Sequence, residues 1–356
     1  MRRLHFILLA LLAASLVAGC SKDVPVKGTD SSDDAWRYDE SLPVPVEFGT
    51  SSLATKAPIT TVQDLYGKRF GIFAYDKSAR NLNVDDGLMM RNALAVCGID
   101  GATGYLEMDQ AWYYPVDQDV EFGFRSYYPR NNDGYEQTST QMTVQVPVTN
   151  VHDVLWAEAS VDGGYNASYL RADGPAPVFK YSHKTACLSF KACTDLDDVD
   201  VKIMFLSFVD VPTSATLCIA DTRNKTNVGE FIAYSPKSNW TAKKIGNAGT
   251  GTLDCALTTT PQDLCQPTFV APCERLTVKA DVRVAGSNES NWVEFVLDPA
   301  ELGAEKGDEG FLAGYHYAFN LKVIAPTKVS LTIDKQQSGA GSIFDFDDNQ
   351  WENAFN

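Results

Sequence analysis

Apolar and polar side chains alternate along residues 276–284, and this pattern constrains the fold more than any other in the chain. The apolar positions are Leu276, Val278, Ala280, Val282 and Val284, and the polar positions between them are Thr277, Lys279, Asp281 and Arg283. Alternation with a period of two is typical of a β-strand that has one face on a core and the other in water. The segment therefore predicts a sheet packed on one side.

Shorter runs repeat this pattern and predict further half-buried strands. They comprise Val44, Val46 and Phe48; Phe70 and Ile72; and Met142, Val144 and Val146. Turn signals at residues 131–134 (NNDG) and 162–164 (DGG) separate the runs, and no long segment keeps a helical period. We expect an all-β protein built of β-sandwiches.

The N-terminus has the pattern of an export signal. Arg2 and Arg3 precede an apolar stretch over residues 6–17, which ends in the sequence LVAGC at residues 16–20. The stretch is too short to span a bilayer, and the small residues before Cys20 indicate a lipoprotein cleavage site. We expect a signal peptide over residues 1–19 and a lipid on Cys20; the alternative is an ordinary signal peptide, with Cys20 inside a folded domain.

Charge and composition limit the partners and divide the chain. A formal net charge of −16 argues against binding to nucleic acid. Residues 20–40 are polar and acidic and predict a flexible tether. The Gly-, Ala-, Asp- and Pro-rich stretch at residues 163–177 marks the boundary between an N-terminal sandwich over residues 41–165 and a C-terminal one over residues 166–356.

Seven cysteines follow Cys20, and an odd number leaves at least one thiol free or paired between chains. Most are expected to be single buried thiols, and the favoured disulfide is Cys255 with Cys265 or Cys265 with Cys273. The other cysteines are Cys97, Cys187, Cys193 and Cys218, together with Cys273 in the first alternative or Cys255 in the second.

No motif indicates catalysis, a metal or a cofactor. His152, His183 and His316 are not accompanied by a nucleophile elbow or a zinc-binding spacing, so we interpret them as structural. The acidic stretches at residues 195–200 and 345–348 lack the glycine and distal glutamate of a calcium loop and are expected to be solvated. We expect a protein that is not an enzyme and has no cofactor.

Aromatic side chains leave a second interpretation open. They could stack on sugar rings at a surface, although a core role is favoured because they bury large areas with little entropy loss. The residues concerned are Trp112, Tyr113, Tyr114, Tyr127 and Tyr128. The alternative function is therefore a surface glycan-binding lipoprotein.

The strand motifs occur in an order that resembles the Bacteroidales-type fimbrillins, which are lipoprotein precursors of fimbrial subunits. The motifs of the first half are residues 54–57 (ATKA), 69–75 (RFGIFAY), 90–92 (MRN), 112–115 (WYYP), 121–129 (EFGFRSYYP) and 153–157 (DVLWA). Those of the second half are residues 178–190 (VFKYSHKTACLSF) and 311–321 (FLAGYHYAFNL). The resemblance covers nearly all of the chain after Cys20 and implies two transthyretin-like β-sandwiches in tandem.

The resemblance also implies assembly by strand exchange. In the family, a protease cuts after a basic residue and removes the first strand, and the groove left behind accepts a strand from the next subunit. The removable strand here would contain Val44, Val46 and Phe48. Lys56 is the better cleavage site because it follows this strand, and Arg37 is less suitable. The family's best-known precursors are cut after arginine, whereas this chain has none between the strand and Arg69.

The donor strand is expected near the C-terminus, where apolar residues either alternate or cluster. The candidates are Val329, Leu331 and Ile333, followed by Ile343, Phe344, Phe346 and Trp351. The other interpretation is that this segment completes the sheet of its own domain. The resemblance implies an outer-membrane, surface-exposed fimbrial protein that supports adhesion, with other fimbrial subunits, a processing protease and the membrane as partners.

Overall fold

Strands make up most of the structure, a computed structural model that describes residues 35–50, 62–78, 82, 88–100, 103–115, 120–246, 251–304 and 307–338. The helices are α1 (Ala35–Tyr38), α2 (Val62–Leu65) and α3 (Ala167–Arg171), with 3-10 turns at Lys225–Asn227 and Gly307–Glu309. In chain order the strands are β1 (Phe48–Thr50), β2 (Arg69–Asp76), β3 (Leu88–Asp100), β4 (Thr103–Met108), β5 (Phe122–Tyr128), β6 (Glu136–Gln137), β7 (Gln141–Pro147), β8 (Thr149–Asn150), β9 (Leu155–Ala159), β10 (Val178–Phe179), β11 (Ser182–His183), β12 (Ala186–Thr194), β13 (Val201–Pro212), β14 (Ser214–Asp221), β15 (Phe231–Tyr234), β16 (Lys237–Thr241), β17 (Cys255–Ala256), β18 (Gln262–Asp263), β19 (Thr268–Val270), β20 (Leu276–Val284), β21 (Asn291–Leu297), β22 (Tyr315–Ala325) and β23 (Lys328–Ser338). The predicted all-β class is confirmed. Within the described ranges, no helix has the length and apolarity needed to cross a membrane.

The largest sheet has eight strands in the order β10-β1-β4-β3-β2-β5-β9-β11. Its central strand β2 places Phe70, Ile72 and Ala74 in one apolar core, whereas Phe73 lies in another. The prediction of a half-buried strand was wrong here because protein layers cover both faces of the sheet. A strand buried on both sides carries a continuous apolar run rather than strict alternation.

A four-stranded sheet, ordered β15-β14-β7-β6, covers one face of the large sheet. The core between them combines Val144 of β7 and Leu217 of β14 with Phe73, Tyr127 and Trp156 of the large sheet. Strands β7 and β14 pair antiparallel, although they come from opposite sides of residue 165. Hydrogen bonds therefore connect the two halves of the chain, and the division into residues 41–165 and 166–356 stays a prediction.

The second sandwich consists of a six-stranded and a five-stranded sheet. Their main paths run β23-β22-β12-β19-β8 and β16-β13-β20-β21, with β18 on β12 and β17 on β13. Leu188 and Phe319 from the first sheet meet Phe208 and Val278 from the second in one core. Strand β12 runs parallel to β22, and β22 pairs antiparallel with β23. The two layered pairs of sheets agree with the expected two-sandwich architecture.

Strand β20 follows the predicted alternation with one exception. Leu276, Val278, Ala280 and Val282 are buried, as expected, but Asp281 on the opposite face is also completely buried. Its carboxylate accepts a hydrogen bond from the Arg283 guanidinium (2.8 Å) and another from the Ser290 hydroxyl (2.7 Å). These charged and polar partners compensate the loss of water around the carboxylate.

The seven cysteines of the described residues are all unbonded, so the predicted disulfide is wrong for both alternatives. Cys265 lies in the second core, and its burial raises the pKa of the thiol to about 12. Burial raises the pKa of Cys273 to about 12 as well. The Cys255 sulfur accepts a hydrogen bond from Gln262 (3.5 Å). The thiols therefore stay protonated and act as small apolar side chains, as expected for most of them.

Candidate functional site

The predicted removable strand lies inside the eight-stranded sheet rather than at its edge. Strand β1 pairs antiparallel with β4 and parallel with β10. The Gly49 amide also donates a hydrogen bond to the Pro177 carbonyl (3.0 Å). Because the strand is bonded on both sides, its loss would leave two unpaired strand edges facing one slot.

The chain is already extended before β1. Val44 precedes Pro45, and a residue before proline is restricted to extended conformations. The Val46 amide donates to the Trp112 carbonyl (2.9 Å), and the Tyr114 amide donates to the Val44 carbonyl (3.0 Å). This ladder requires no donor from Pro45, which is why proline is tolerated in it.

The three predicted side chains of this strand are buried in the apolar core. Val44, Val46 and Phe48 are 1%, 5% and 1% exposed. The Phe48 ring lies 5.0 Å from that of Phe124 and 5.2 Å from that of Phe179. Full burial of such a side chain contributes about 1.5–3 kcal/mol. We call residues 44–50 the first strand, and β4, β10, residues 112–114, Phe124 and α3 the first-strand seat.

Helix α3 fastens the chain upstream of the first strand. Arg171, its last residue, donates from Nε to the Trp36 carbonyl (3.1 Å). Its Nη2 donates to the carbonyls of Leu42 (2.7 Å) and Glu40 (3.4 Å). A single guanidinium thus contacts three main-chain carbonyls of the segment that leads into the first strand.

Of the two predicted cleavage residues, Arg37 belongs to the described part of the chain and Lys56 does not. Arg37 lies in α1, where its Nη1 contacts the Asp173 carboxylate (3.2 Å) and the Leu170 carbonyl (3.4 Å). Because Arg37 precedes Val44, a cut after it would leave the first strand on the mature chain. Lys56 lies outside the described residues.

Polar atoms in and beside the first strand are buried without a hydrogen-bond partner. They are Oγ1 of Thr50, Nε1 of Trp112 and the phenolic oxygen of Tyr114. Tyr114 is 3% exposed, and burial, followed by the nearby Tyr165, raises the pKa of its phenol well above the ordinary value. An unpaired buried polar group costs about 1–3 kcal/mol. The seat therefore fits the first strand through apolar packing and leaves polar groups unsatisfied.

The first part of the predicted donor segment forms β23, at the edge of the six-stranded sheet. Val329, Leu331 and Ile333 are half-buried against the second core, and β23 is hydrogen-bonded to β22. These three residues complete the sheet of their own half in this structure. The other candidates, Ile343, Phe344, Phe346 and Trp351, lie outside the described residues, as does Cys20.

Most of the aromatic side chains considered for sugar binding belong to the core. Tyr114 and Tyr127 are buried, and Trp112 and Tyr128 are partly buried. Tyr113 is 48% exposed. These five residues therefore do not form a row of exposed rings.

Two of the histidines, His183 and His316, contact polar side chains inside the protein. His183 Nδ1 is 2.6 Å from the buried Asp153 carboxylate, and His316 Nε2 is 2.9 Å from the Ser189 hydroxyl. Among the described residues, no group of three or more His, Cys, Asp or Glu side chains could hold a metal ion.

The sequence did not predict the roles of two residues of the seat. Arg171 was not predicted to belong to the seat at all, and Tyr114 was not predicted to carry a buried polar group beside the first strand. The acceptors of Arg171 lie 129 to 135 positions earlier in the chain, so no local pattern distinguishes it from an exposed arginine. Tyr114 was identified only as an aromatic residue. Its position beside Val44 follows from the bridge between Pro45 and Tyr113, which local sequence does not encode.

Comparisons with known proteins identify one family. A family model described as fimbrillin-like matches residues 55–335. A solved structure of a proposed cell adhesion protein from Bacteroides uniformis is similar with a TM-score of 0.52 at 16% identity, covering 84% of this chain and 99% of that one. A proposed cell adhesion protein from Bacteroides ovatus has a TM-score of 0.47 at 12% identity, with 83% and 97% covered. The fimbrial anchor protein Mfa2 from Porphyromonas gingivalis has a TM-score of 0.36 at 11% identity, with 83% and 97% covered. A search among curated proteins finds no match.

Proposed function

The chain belongs to the fimbrillin-like family, and from this membership we propose that it is a structural or accessory subunit of a surface fimbria that assembles by strand exchange. Membership supports a fimbrial or adhesin-type subunit at the cell surface, with a structural rather than enzymatic role and other fimbrial subunits as partners. The likeness to the Bacteroides uniformis protein supports the fold alone.

One observation carries the strand-exchange mechanism. The first strand is a short insert between β4 and β10, with its apolar side chains in the core. Removing it would expose unpaired amides and an apolar slot, and an alternating strand from another subunit can fill both. The same geometry gives the reaction a direction, because the empty slot is much less stable than the filled one.

In this proposal the precursor travels to the outer membrane on a lipid attached to Cys20. A protease then cuts after Lys56 and releases the lipid together with the first strand. The C-terminal segment of another subunit enters the seat, and the polymer supports adhesion. Processing after Arg37 would leave the first strand on the chain, so a subunit cut there would retain a filled seat, as an anchor or tip subunit does.

The test is the mass of the native N-terminus, combined with the polymer state of protein taken from cell surfaces. Wild-type protein should begin at Ala57 and occur in high-mass polymers, and Lys56→Gln should retain the lipid and the first strand. Arg37→Gln is the matched control, which removes a basic residue of the precursor without changing this result. Surface protein that always retains residues 41–56 and never forms polymers would contradict a role in the fimbrial shaft.

A further inference from the structure

A cleft of about 270 Å³ lies where the chain passes between the two sandwiches. Strand β13 of the second sandwich leads through Thr213 into β14 of the first, and β15 leads back into β16. Ligand sites occur preferentially at junctions of this kind, and a cavity of about 150 Å³ already accommodates benzene. The cleft therefore has room for one ring with a short substituent. We call it the junction cleft, and the residues that line it include Pro212, Lys237, Trp240, Pro272, Cys273 and Arg275.

One wall of the junction cleft is apolar and is held in place by the second core. The Trp240 ring stacks on the Phe208 ring, with the centroids 4.2 Å apart and the planes at 17°. Phe208 is completely buried, so the indole has a fixed support. Ser235, a polar residue of the lining, already accepts hydrogen bonds from the amides of Thr213 and Ser214 (both 3.1 Å). A ligand with many hydroxyl groups would lose more hydrogen bonds to water than it gains here, so this wall favours an apolar ligand body.

The charged groups of the junction cleft lie at its solvent side and are positive in excess. The Lys237 ammonium and the Asp210 carboxylate are 3.7 Å apart, and both side chains are mostly exposed. The lining also includes Arg275, for which the described residues provide no ion pair and no side-chain hydrogen bond. Cys273 adds no negative charge, because burial raises the pKa of its thiol to about 12. The cleft is thus locally cationic in a chain whose formal net charge is −16, and a local cationic site of this kind attracts an anion.

We propose that the junction cleft binds a small carboxylic acid with an apolar body. The carboxylate pairs with Arg275, with Lys237 as the second cation, and the body lies against Trp240. A guanidinium can donate two parallel hydrogen bonds to one carboxylate, and removal of the body from water adds the hydrophobic contribution. The inference goes beyond the fimbrial role and does not depend on strand exchange, since no lining residue belongs to the first strand or its seat.

The experiment titrates the full, uncleaved chain with 3-phenylpropionate and measures the heat of binding. We expect a Kd of about 1 mM, which is typical of a ligand with so few atoms, and weaker binding at high salt, which screens the ion pair. 3-Phenylpropionamide keeps the ring and removes the charge, so it should bind at least about tenfold more weakly. Acetate keeps the charge without a ring, and glucuronate carries the charge on a polar ring. Both should also bind at least about tenfold more weakly, because neither buries an apolar body.

Variants of one exposed arginine locate the bound acid. Arg275→Gln should weaken the binding of 3-phenylpropionate by at least about tenfold and should leave that of its amide unchanged. Arg275→Lys should keep part of the affinity, because lysine retains the charge but not the paired donors. Arg223→Gln is the matched control, since Arg223 is also exposed but does not line the cleft. The ligand series on wild-type protein gives its answer whether or not these variants fold.

Each part of the proposal has a result that would overturn it. Equal binding of the acid and the amide would exclude recognition of the carboxylate, and tighter binding of glucuronate would exclude the apolar body. Acid binding that Arg275→Gln leaves unchanged would place the ligand elsewhere on the protein. Absence of binding at about ten times the expected Kd would show that the cleft is not a site for such acids. These failures are distinct from failure of the fimbrial role, which is tested by the native N-terminus and the polymer state.

Discussion

The first strand and β23 are both alternating strands near an end of the chain, yet the structure holds them in opposite ways. The short β1 is paired on both sides, and the side chains of Val44, Val46 and Phe48 are almost completely buried. The longer β23, Lys328–Ser338, pairs with β22 on one side, and Val329, Leu331 and Ile333 are half-buried. Many hydrogen bonds with shallow packing hold β23, whereas few hydrogen bonds with deep packing hold the first strand.

This difference assigns separate roles to the two strands. A removable strand is useful for assembly if its loss creates a deep apolar slot, since burial of that slot drives refilling. An edge strand such as β23 leaves no slot when it detaches, because it is paired on one side. The pairing of β23 with β22 therefore supports β23 as a fixed strand of the second sandwich, and in the proposed exchange the donor is the segment beyond it.

The largest expected effect comes from removing the aromatic ring that anchors the first strand. Phe48→Ala should lower the free energy of unfolding of the uncleaved protein by about 3–5 kcal/mol, as for other buried phenylalanines. The ring packs against Phe124 and Phe179, so both neighbours lose contacts. Urea denaturation followed by near-ultraviolet circular dichroism measures the loss.

The matching change in β23 is Leu331→Ala, which removes a half-buried side chain. It should lower the free energy of unfolding by about 1–2 kcal/mol. Tyr38→Ala, at a residue that is 90% exposed, controls for changes at the surface. A loss for Leu331→Ala as large as that for Phe48→Ala would show that the edge strand is held as firmly as the first strand.

Mild acid should affect the β23 side of the molecule before the first-strand seat. Burial lowers the pKa of His316, on β22, to about 4, whereas an unfolded histidine has a pKa of about 6.5. Between these values the unfolded chain binds a proton that the folded chain does not, so stability falls as the pH drops from about 6.5 to about 4. Residues 35–50, 103–115 and 165–181, which contain the first strand and most of its seat, include no histidine.

We expect His316→Gln to reduce the pH dependence of unfolding by at most about 2 kcal/mol between pH 7 and pH 5. Denaturation midpoints at the two pH values provide the measurement. Burial also lowers the pKa of His152, so His152→Gln is the matched variant outside the six-stranded sheet. An unchanged slope for His316→Gln would mean that this histidine does not destabilise the second sandwich in acid.

The sequence was informative where a strand meets one core and much less so where distant segments meet. The alternation of Leu276, Val278, Ala280 and Val282 was enough to predict the buried face of β20. The burial of Asp281 was missed because its partner Ser290 comes from the following turn, and the burial of Phe73 because a second layer covers β2. Local patterns encode which side of a strand is apolar, but not which segment will cover the other side.

The same limit applies to the candidate site. Val44, Val46 and Phe48 were predicted as one strand from their spacing, and the structure places all three in one core. Their position between β4 and β10 depends on pairings across more than 50 and 120 residues, which spacing cannot give. Arg171 contacts main-chain carbonyls, which every residue has, so the side chains of its partners do not reveal the contact. The order of the motifs, rather than any single one, indicated the family.

The smallest expected effect on stability separates packing from hydrogen bonding in the seat. Tyr114→Phe removes a buried hydroxyl that has no partner and keeps the ring in the core. No hydrogen bond is lost in the uncleaved protein, and the unpaired group disappears, so stability should stay constant or rise by up to about 1 kcal/mol. Urea denaturation of the uncleaved variant and wild type gives this difference. Destabilisation of the uncleaved Tyr114→Phe protein would instead show that the hydroxyl already helps to hold the first strand, and the conclusion that apolar packing alone fills the seat at this residue would be wrong.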